Sequence, residues 1–286
     1  MSPVTGPVIM DGAALAAARA AAHRARAAAV ERARGHAPRL ALVAFAGADG
    51  RVPHLERKLR ACRNEGVSAL PLILPEDAAT PAARTAMLAH LEDTFADGVF
   101  LQFPYPPGID GDELAAAIPY PADVDVMTPL RIRRFMTGRD ELPPVTVAAA
   151  LALLDGYGVD VRGRQGVLVA EPHPFSLMFH EALIRRGAAM HPLVSPDDAA
   201  LEERTGKASL VVVAAGRSGL VKSSTLADGA VAIDVGYFNP GGRGDIDTAG
   251  GVGHLAALCA VPGGIGPMTV SCLIERVIRF AEDATP

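Results

Sequence analysis

The sequence contains no tryptophan, and only 5% of its 286 residues are aromatic. Alanine is abundant instead, a balance that reflects a GC-rich bacterial coding background more than any function. Positive charge is also in short supply: the formal net charge is −5, which gives no electrostatic footprint for a nucleic acid. No stretch approaches the ~18 consecutive apolar residues of a membrane span, so no membrane partner is expected. Cys62, Cys259 and Cys272 are the only cysteines. An odd number without CxxC spacing argues against a disulfide framework or a metal site. We read them as buried thiols in a reducing cytoplasm. The Ala- and Arg-rich N-terminus superficially resembles a targeting peptide. It carries Asp11 at an N-cap position and Glu31 further on, and has no compact apolar core before a cleavage site. It is expected to be an ordinary first helix.

Half of the residues are hydrophobic, enough for one large core or two medium ones. Short apolar runs at 40–47, 69–75, 98–104, 166–170, 188–194, 209–216 and 229–236 read as strands. Helical patterns lie between them, at 54–65, 81–97, 147–156, 176–186 and 196–205. Near-continuous apolar strands alternating with helices indicate parallel sheets covered on both faces, an α/β chain. The break near 140–165 divides it into two units with a cleft between them. We assign residues 1–145 to an N-terminal α/β catalytic domain, completed by a C-terminal helix at 268–286. Residues 146–267 form a Rossmann-like domain with a parallel sheet. Ligands of such units bind beyond the carboxyl ends of the strands.

The densest signal is VPGGIGPMTV at 261–270. Three glycines and two prolines within eight residues are not expected inside a helix, so we read a loop ahead of the helix that SCLIERVIRFAED forms. Such a loop lets a flat ligand approach bare backbone, although a tight turn would use the same residues.

Several segments, in order, resemble the bifunctional methylenetetrahydrofolate dehydrogenase/methenyltetrahydrofolate cyclohydrolase family. VPGGIGPMTV is similar to the loop that lies against the folate in that family. DGVFLQFPYPPGID (97–110) resembles DGILVQLPLPxxID, and PADVDVMTP (121–129) resembles KDVDGFxP. LVVVAAGRSGLVK, GAVAIDVG and GDID (244–247) follow the family's IVIAAxGxPxxVK, GAVVIDVG and GDVD. The resemblance runs from about residue 40 to the C-terminus. It implies a tetrahydrofolate derivative as substrate, a homodimer formed through the second domain, and three residues at the one-carbon centre: Lys58, Gln102 and Asp125. It places His54, where the family has Tyr, together with Pro262, Gly263, Gly264, Gly266 and Pro267, against the substrate. The nominal nucleotide site would comprise Ala170, Glu171, Pro172, Ala215, Gly216, Asp234 and Gly236.

The chemistry of the first three residues stands without the family. Methenyltetrahydrofolate is an amidinium-type cation that water attacks to give 10-formyltetrahydrofolate. A lysine desolvated beside that charge loses basicity and can take a proton from water. Gln102 can hold the amine without adding charge, and Asp125 can accept hydrogen bonds from pterin N–H groups. Each also has an ordinary explanation: a solvated helix lysine, a turn-closing glutamine, a capping aspartate. His54 can stack on an aromatic ring and titrate near neutrality, or simply face solvent.

The resemblance fails at one place. Where the family reads GRSxxVGxP, this chain reads AEPHPFSLM (170–178), with no glycine between 167 and 186. Pro172 and Pro174 lack backbone N–H groups, and Glu171 would repel a 2′-phosphate. The PCTPxG turn is PVTVAA (144–149), and Gly-Phe after DVD is Val126-Met127. NADP binding, and with it hydride transfer, is therefore expected to be weak or lost, while cyclohydrolase chemistry needs no nucleotide. The alternatives are the full bifunctional enzyme, a specialised folate-dependent paralogue, and a non-catalytic folate-binding protein.

Overall fold

A computed structural model describes residues 6–47, 52, 55–103, 105–236 and 242–285. In chain order the described elements are β1 (Val8–Ile9), α1 (Gly12–Arg34), β2 (Arg39–Phe45), α2 (Leu55–Asn64), β3 (Ser68–Leu74), α3 (Thr80–Thr94) and β4 (Gly98–Leu101). There follow α4 (Gly111–Ala116), α5 (Pro129–Met136), α6 (Val145–Gly156), β5 (Gln165–Val169), α7 (Pro174–Arg185), β6 (Ala189–Met190) and α8 (Leu201–Lys207). The chain closes with β7 (Leu210–Val213), β8 (Val221–Lys222), β9 (Val231–Asp234), β10 (Ile246–Asp247), β11 (Ala257–Cys259) and α9 (Ile265–Asp283).

The chain forms two compact units. One contains residues 17–145 and the stretch from Val270 onward. Its sheet has the order β3-β2-β4, all parallel. The central strand β2 is buried after its first residue, as a strand covered on both faces requires. Strand β3 is half exposed, and as an edge strand it tolerates Pro71, which has no N–H to give to a ladder. One face of this sheet packs Leu40, Leu42 and Phe100 with Cys62 of α2 and Leu273, Ile274 and Val277 of α9.

The second unit contains the residues up to Ala16 and residues 146–269. Its six-stranded parallel sheet has the order β1-β11-β9-β7-β5-β6, and β8 pairs separately with β10. The first residues therefore belong to this unit, not to the catalytic one assigned from sequence. The reason is backbone pairing: Val8 and Ile9 extend the sheet alongside Ala257 and Leu258.

Three further expectations are corrected. The strand over 188–194 shortens to β6, because Pro192 interrupts the ladder. His191 and Val194 still donate to β5 carbonyls on either side of it. The helix over 196–205 begins only at Leu201, since the Ser195 and Asp198 side chains accept the Asp197 and Ala200 N–H groups and hold a turn instead. The 261–270 segment is not all loop: α9 begins at Ile265 and takes in Gly266 and Pro267. Pro is compatible with a first turn, whose N–H groups have no helical acceptor in any case.

Candidate active site

In the first unit, α2 buries Leu55, Lys58 and Cys62, a stripe at helical spacing that faces the core. A lysine in such a stripe is unusual, and Lys58 is only 7% exposed. Its Nζ donates to Gln102 Oε1 at 2.6 Å and lies 5.3 Å from the centre of the Phe100 ring. Gln102 follows directly on β4, at the carboxyl end of the sheet, and its Nε2 donates to the Phe103 carbonyl. Burial pulls the Lys58 amine down from 10.5 to about 8, against the opposing pull of the Asp125 carboxylate.

Asp125 comes from the segment after β4, which runs beside that strand through a Val99–Asp123 bridge. Its Oδ1 accepts the Val145 N–H at 2.8 Å, capping the start of α6. The residue as a whole is half-buried, but protein surrounds its carboxyl, and this desolvation lifts it from 3.8 to about 7. The hydrogen bond from Val145 and the nearby Arg276 guanidinium work in the opposite direction. The structure thus brings together Lys58 and Gln102 by contact, and places Asp125 within electrostatic reach of Lys58. His54 lies outside the described residues.

Two supporting residues carried no recognised signal. Arg276, 6% exposed on α9, donates to the Val124 and Pro143 carbonyls at 2.7 Å each, holding the Asp125 segment from behind. Asp123 accepts the Met127 and Thr128 N–H groups at 3.1 and 2.8 Å. The paired acids of DVD were the available clue for Asp123. Arg276 sits in a helix whose pattern reads as plain amphipathic.

Pro262, Gly263, Gly264, Gly266 and Pro267 belong to the second unit. The Gly263 carbonyl accepts the Ala13 N–H at 3.2 Å, and a Cβ on Gly12 would overlap the Gly264 carbonyl. Within the loop itself, a Cβ on Gly264 would overlap Cys259 Sγ and the Ala260 carbonyl, and Gly263 has a φ of +105°, so packing and backbone conformation explain part of this glycine content.

At the carboxyl ends of β5 and β7, many polar groups at the positions expected to meet a nucleotide bond within the second unit. Pro172 and Pro174 have no N–H. The His173 N–H donates to Ser176 Oγ at 3.0 Å, and the Phe175 N–H to His173 Nδ1 at 3.3 Å. Ala170 is buried, with its N–H on the Val194 carbonyl, while Glu171 is exposed. Arg217 pairs through both terminal nitrogens with Asp197 and lies 3.9 Å from Glu171 Oε1.

After β7, the N–H groups of Ala215, Gly216 and Arg217 converge on the Asp245 carboxylate at 2.7–2.9 Å. Asp234 in turn accepts the N–H groups of Gly236, Asp245 and Ile246 at 2.8–3.0 Å. Both carboxylates are essentially buried, which raises Asp234 to about 6 and Asp245 in the same direction.

The comparisons with known proteins agree with the two-domain α/β fold. A tetrahydrofolate dehydrogenase/cyclohydrolase catalytic-domain model matches residues 10–125, and the NAD(P)-binding-domain model of the same family matches 144–285. The chain is 34% identical over 256 residues to bifunctional protein FolD 1 of Saccharopolyspora erythraea, covering 88% of this chain and 87% of that one. It belongs to the tetrahydrofolate dehydrogenase/cyclohydrolase family, a family of enzymes. Bifunctional protein FolD of Acidithiobacillus ferrooxidans is also 34% identical, over 257 residues that cover 87% of each chain. A solved Trypanosoma brucei methylenetetrahydrofolate dehydrogenase-cyclohydrolase, complexed with NADP and an inhibitor, superimposes with a TM-score of 0.90. The match covers 98% of this chain and 99% of that one. At 24% identity that likeness speaks to the two-domain α/β fold. Among the described residues no helix is long and apolar enough to cross a membrane.

Proposed function

We propose that this protein hydrolyses 5,10-methenyltetrahydrofolate to 10-formyltetrahydrofolate, with NADP-dependent dehydrogenase activity weak or lost. The observation that carries the first part is a buried lysine whose amine titrates near 8 and is oriented by an amide oxygen at 2.6 Å. Near neutral pH a usable fraction of Lys58 is neutral, and a cationic substrate pushes its pKa lower still. The oxygen of water bonds to the cationic carbon as its proton passes to Lys58. The bond from that carbon to the ring nitrogen then breaks as Lys58 returns the proton to that nitrogen. The hydroxyl proton of the adduct is lost to solvent as the C=O forms, which leaves the formyl group on the other nitrogen and releases one proton overall. Water is the only molecule added. Gln102 fixes the line of the amine, and the ionised Asp125 accepts hydrogen bonds from the pterin. Folate chemistry is assigned to residues 17–145 with the part of α9 from Val270 onward, and the nominal nucleotide function to the unit that contains residues 146–269. A homodimer and a cytoplasmic setting complete the reading.

What supports the second part is the state of the β5 and β7 ends. A 2′-phosphate would meet an exposed glutamate, two prolines without N–H groups and an arginine already engaged by Asp197 and Glu171, so these residues do not fit NADP. The full bifunctional activity is the second reading, favoured by the match to an NAD(P)-binding domain over 144–285. Titration with NADP separates the two: saturation at micromolar concentrations would support the bifunctional enzyme, and none at millimolar concentrations the cyclohydrolase.

A further inference from the structure

Val126, directly after Asp125, has a backbone φ of +60°. In this left-handed region the β-carbon crowds the following carbonyl, and a branched side chain is especially disfavoured. A non-glycine residue held there costs on the order of 1–3 kcal/mol and persists only where its surroundings over-determine it. Here they do. On one side the Asp123 carboxylate holds the Met127 and Thr128 N–H groups, and Thr128 Oγ1 goes on to cap α5. On the other side Arg276 holds the Val124 carbonyl, and Asp125 itself is tied to the Val145 N–H.

The Val126 side chain is 0% exposed. It borders no solvent, so any influence on the reaction has to pass through its neighbour. Glycine, which the resembled motif carries here, would adopt this φ without strain. What valine adds is a buried anchor: φ cannot change without dragging an enclosed isopropyl group. We propose that Val126 is a positioning residue that holds the Asp125 carboxyl in one orientation beside Lys58. The inference rests on the cyclohydrolase reading above.

The test compares wild type with Val126→Ala and Val126→Gly in methenyltetrahydrofolate hydrolysis, alongside thermal melting. At positive φ, glycine is the better backbone residue and alanine the worse, so a purely structural role would make the Gly variant at least as active as the Ala variant. Positioning predicts the opposite order. The kcat should fall modestly in Ala and about tenfold in Gly, with KM within about twofold, as expected when only transition-state contacts loosen. The acid limb of the Gly variant's pH–rate profile should move to lower pH as water reaches Asp125. Activity that follows melting temperature, or is equal in all three proteins, overturns the inference while leaving the cyclohydrolase reading intact. Absence of hydrolysis by the wild type overturns that reading, and this inference with it.

Discussion

The carboxyl ends of the two parallel sheets differ in how their polar groups are satisfied. In the first unit, Lys58 is buried and the half-buried Asp125 lies within electrostatic reach of it, and desolvation displaces both from their ordinary titration range. In the second unit, Asp245 gathers three backbone N–H groups and Asp234 gathers three more. The start of α7 caps itself, and Arg217 is paired. A reactive site retains groups whose charge is costly and whose partners are incomplete, whereas these second-unit loops consume their donors internally. Similar strand-end positions therefore differ in their chemistry: one carries a desolvated amine and carboxyl, the other binds its carboxylates to backbone N–H groups of its own loops.

The sharpest way to break this comparison is to remove the amine. Lys58→Met should lower the hydrolysis rate about 10³-fold, within the range of general-base contributions, while tetrahydrofolate binding measured by calorimetry changes little. The same variant should be more stable at pH 7 by about 1–3 kcal/mol, because a lysine titrating near 8 opposes folding whenever it is charged. A melting temperature that falls would mean Lys58 is a structural contact. Next in size is the second unit's cage. Asp245→Asn turns one acceptor into a donor facing buried N–H groups, and should cost about 2–4 kcal/mol in denaturant unfolding. A neutral outcome would mean the loops do not depend on that carboxylate.

The pH dependence sharpens the first half. Lys58 must be neutral and Asp125 ionised, so the rate should rise with pH through about 7 to 8 and then level off. Stability runs through the same groups. The folded state holds the Asp125 proton more tightly than the unfolded chain between about 4 and 7, so this group's contribution declines as pH rises through that window. Lys58 releases its proton earlier in the folded state, so its contribution grows between about 8 and 10.5. A flat rate profile between pH 6 and 9 would remove both groups from the mechanism. Smallest is the gain from reopening the nucleotide loop. Glu171→Arg combined with Pro172→Gly should strengthen NADP binding about tenfold, the worth of roughly one new charged contact. No change would place the obstacle elsewhere.

Lys58, Gln102 and Asp125 were reached through the family resemblance of their segments, and the structure brings Lys58 and Gln102 into contact with Asp125 in electrostatic reach. The second unit's cage was not legible, because it depends on three loops after β7, β9 and the 242–245 segment meeting in space. Neither was the left-handed conformation of Val126, since no local pattern marks a valine for positive φ and the ties that impose it come from Arg276 and Val145. The start of α9 inside a Gly-Pro segment, and the two-residue pairing of β1, were decided by context that composition does not encode.

The most direct test of the central claim is an absorbance assay of methenyltetrahydrofolate. One arm supplies the compound alone, and the other supplies methylenetetrahydrofolate with NADP or NAD. Loss of absorbance in the first arm, faster than the uncatalysed rate, with none gained in the second, is the predicted result. No enzymatic hydrolysis in the first arm would contradict the account, whatever the second arm shows.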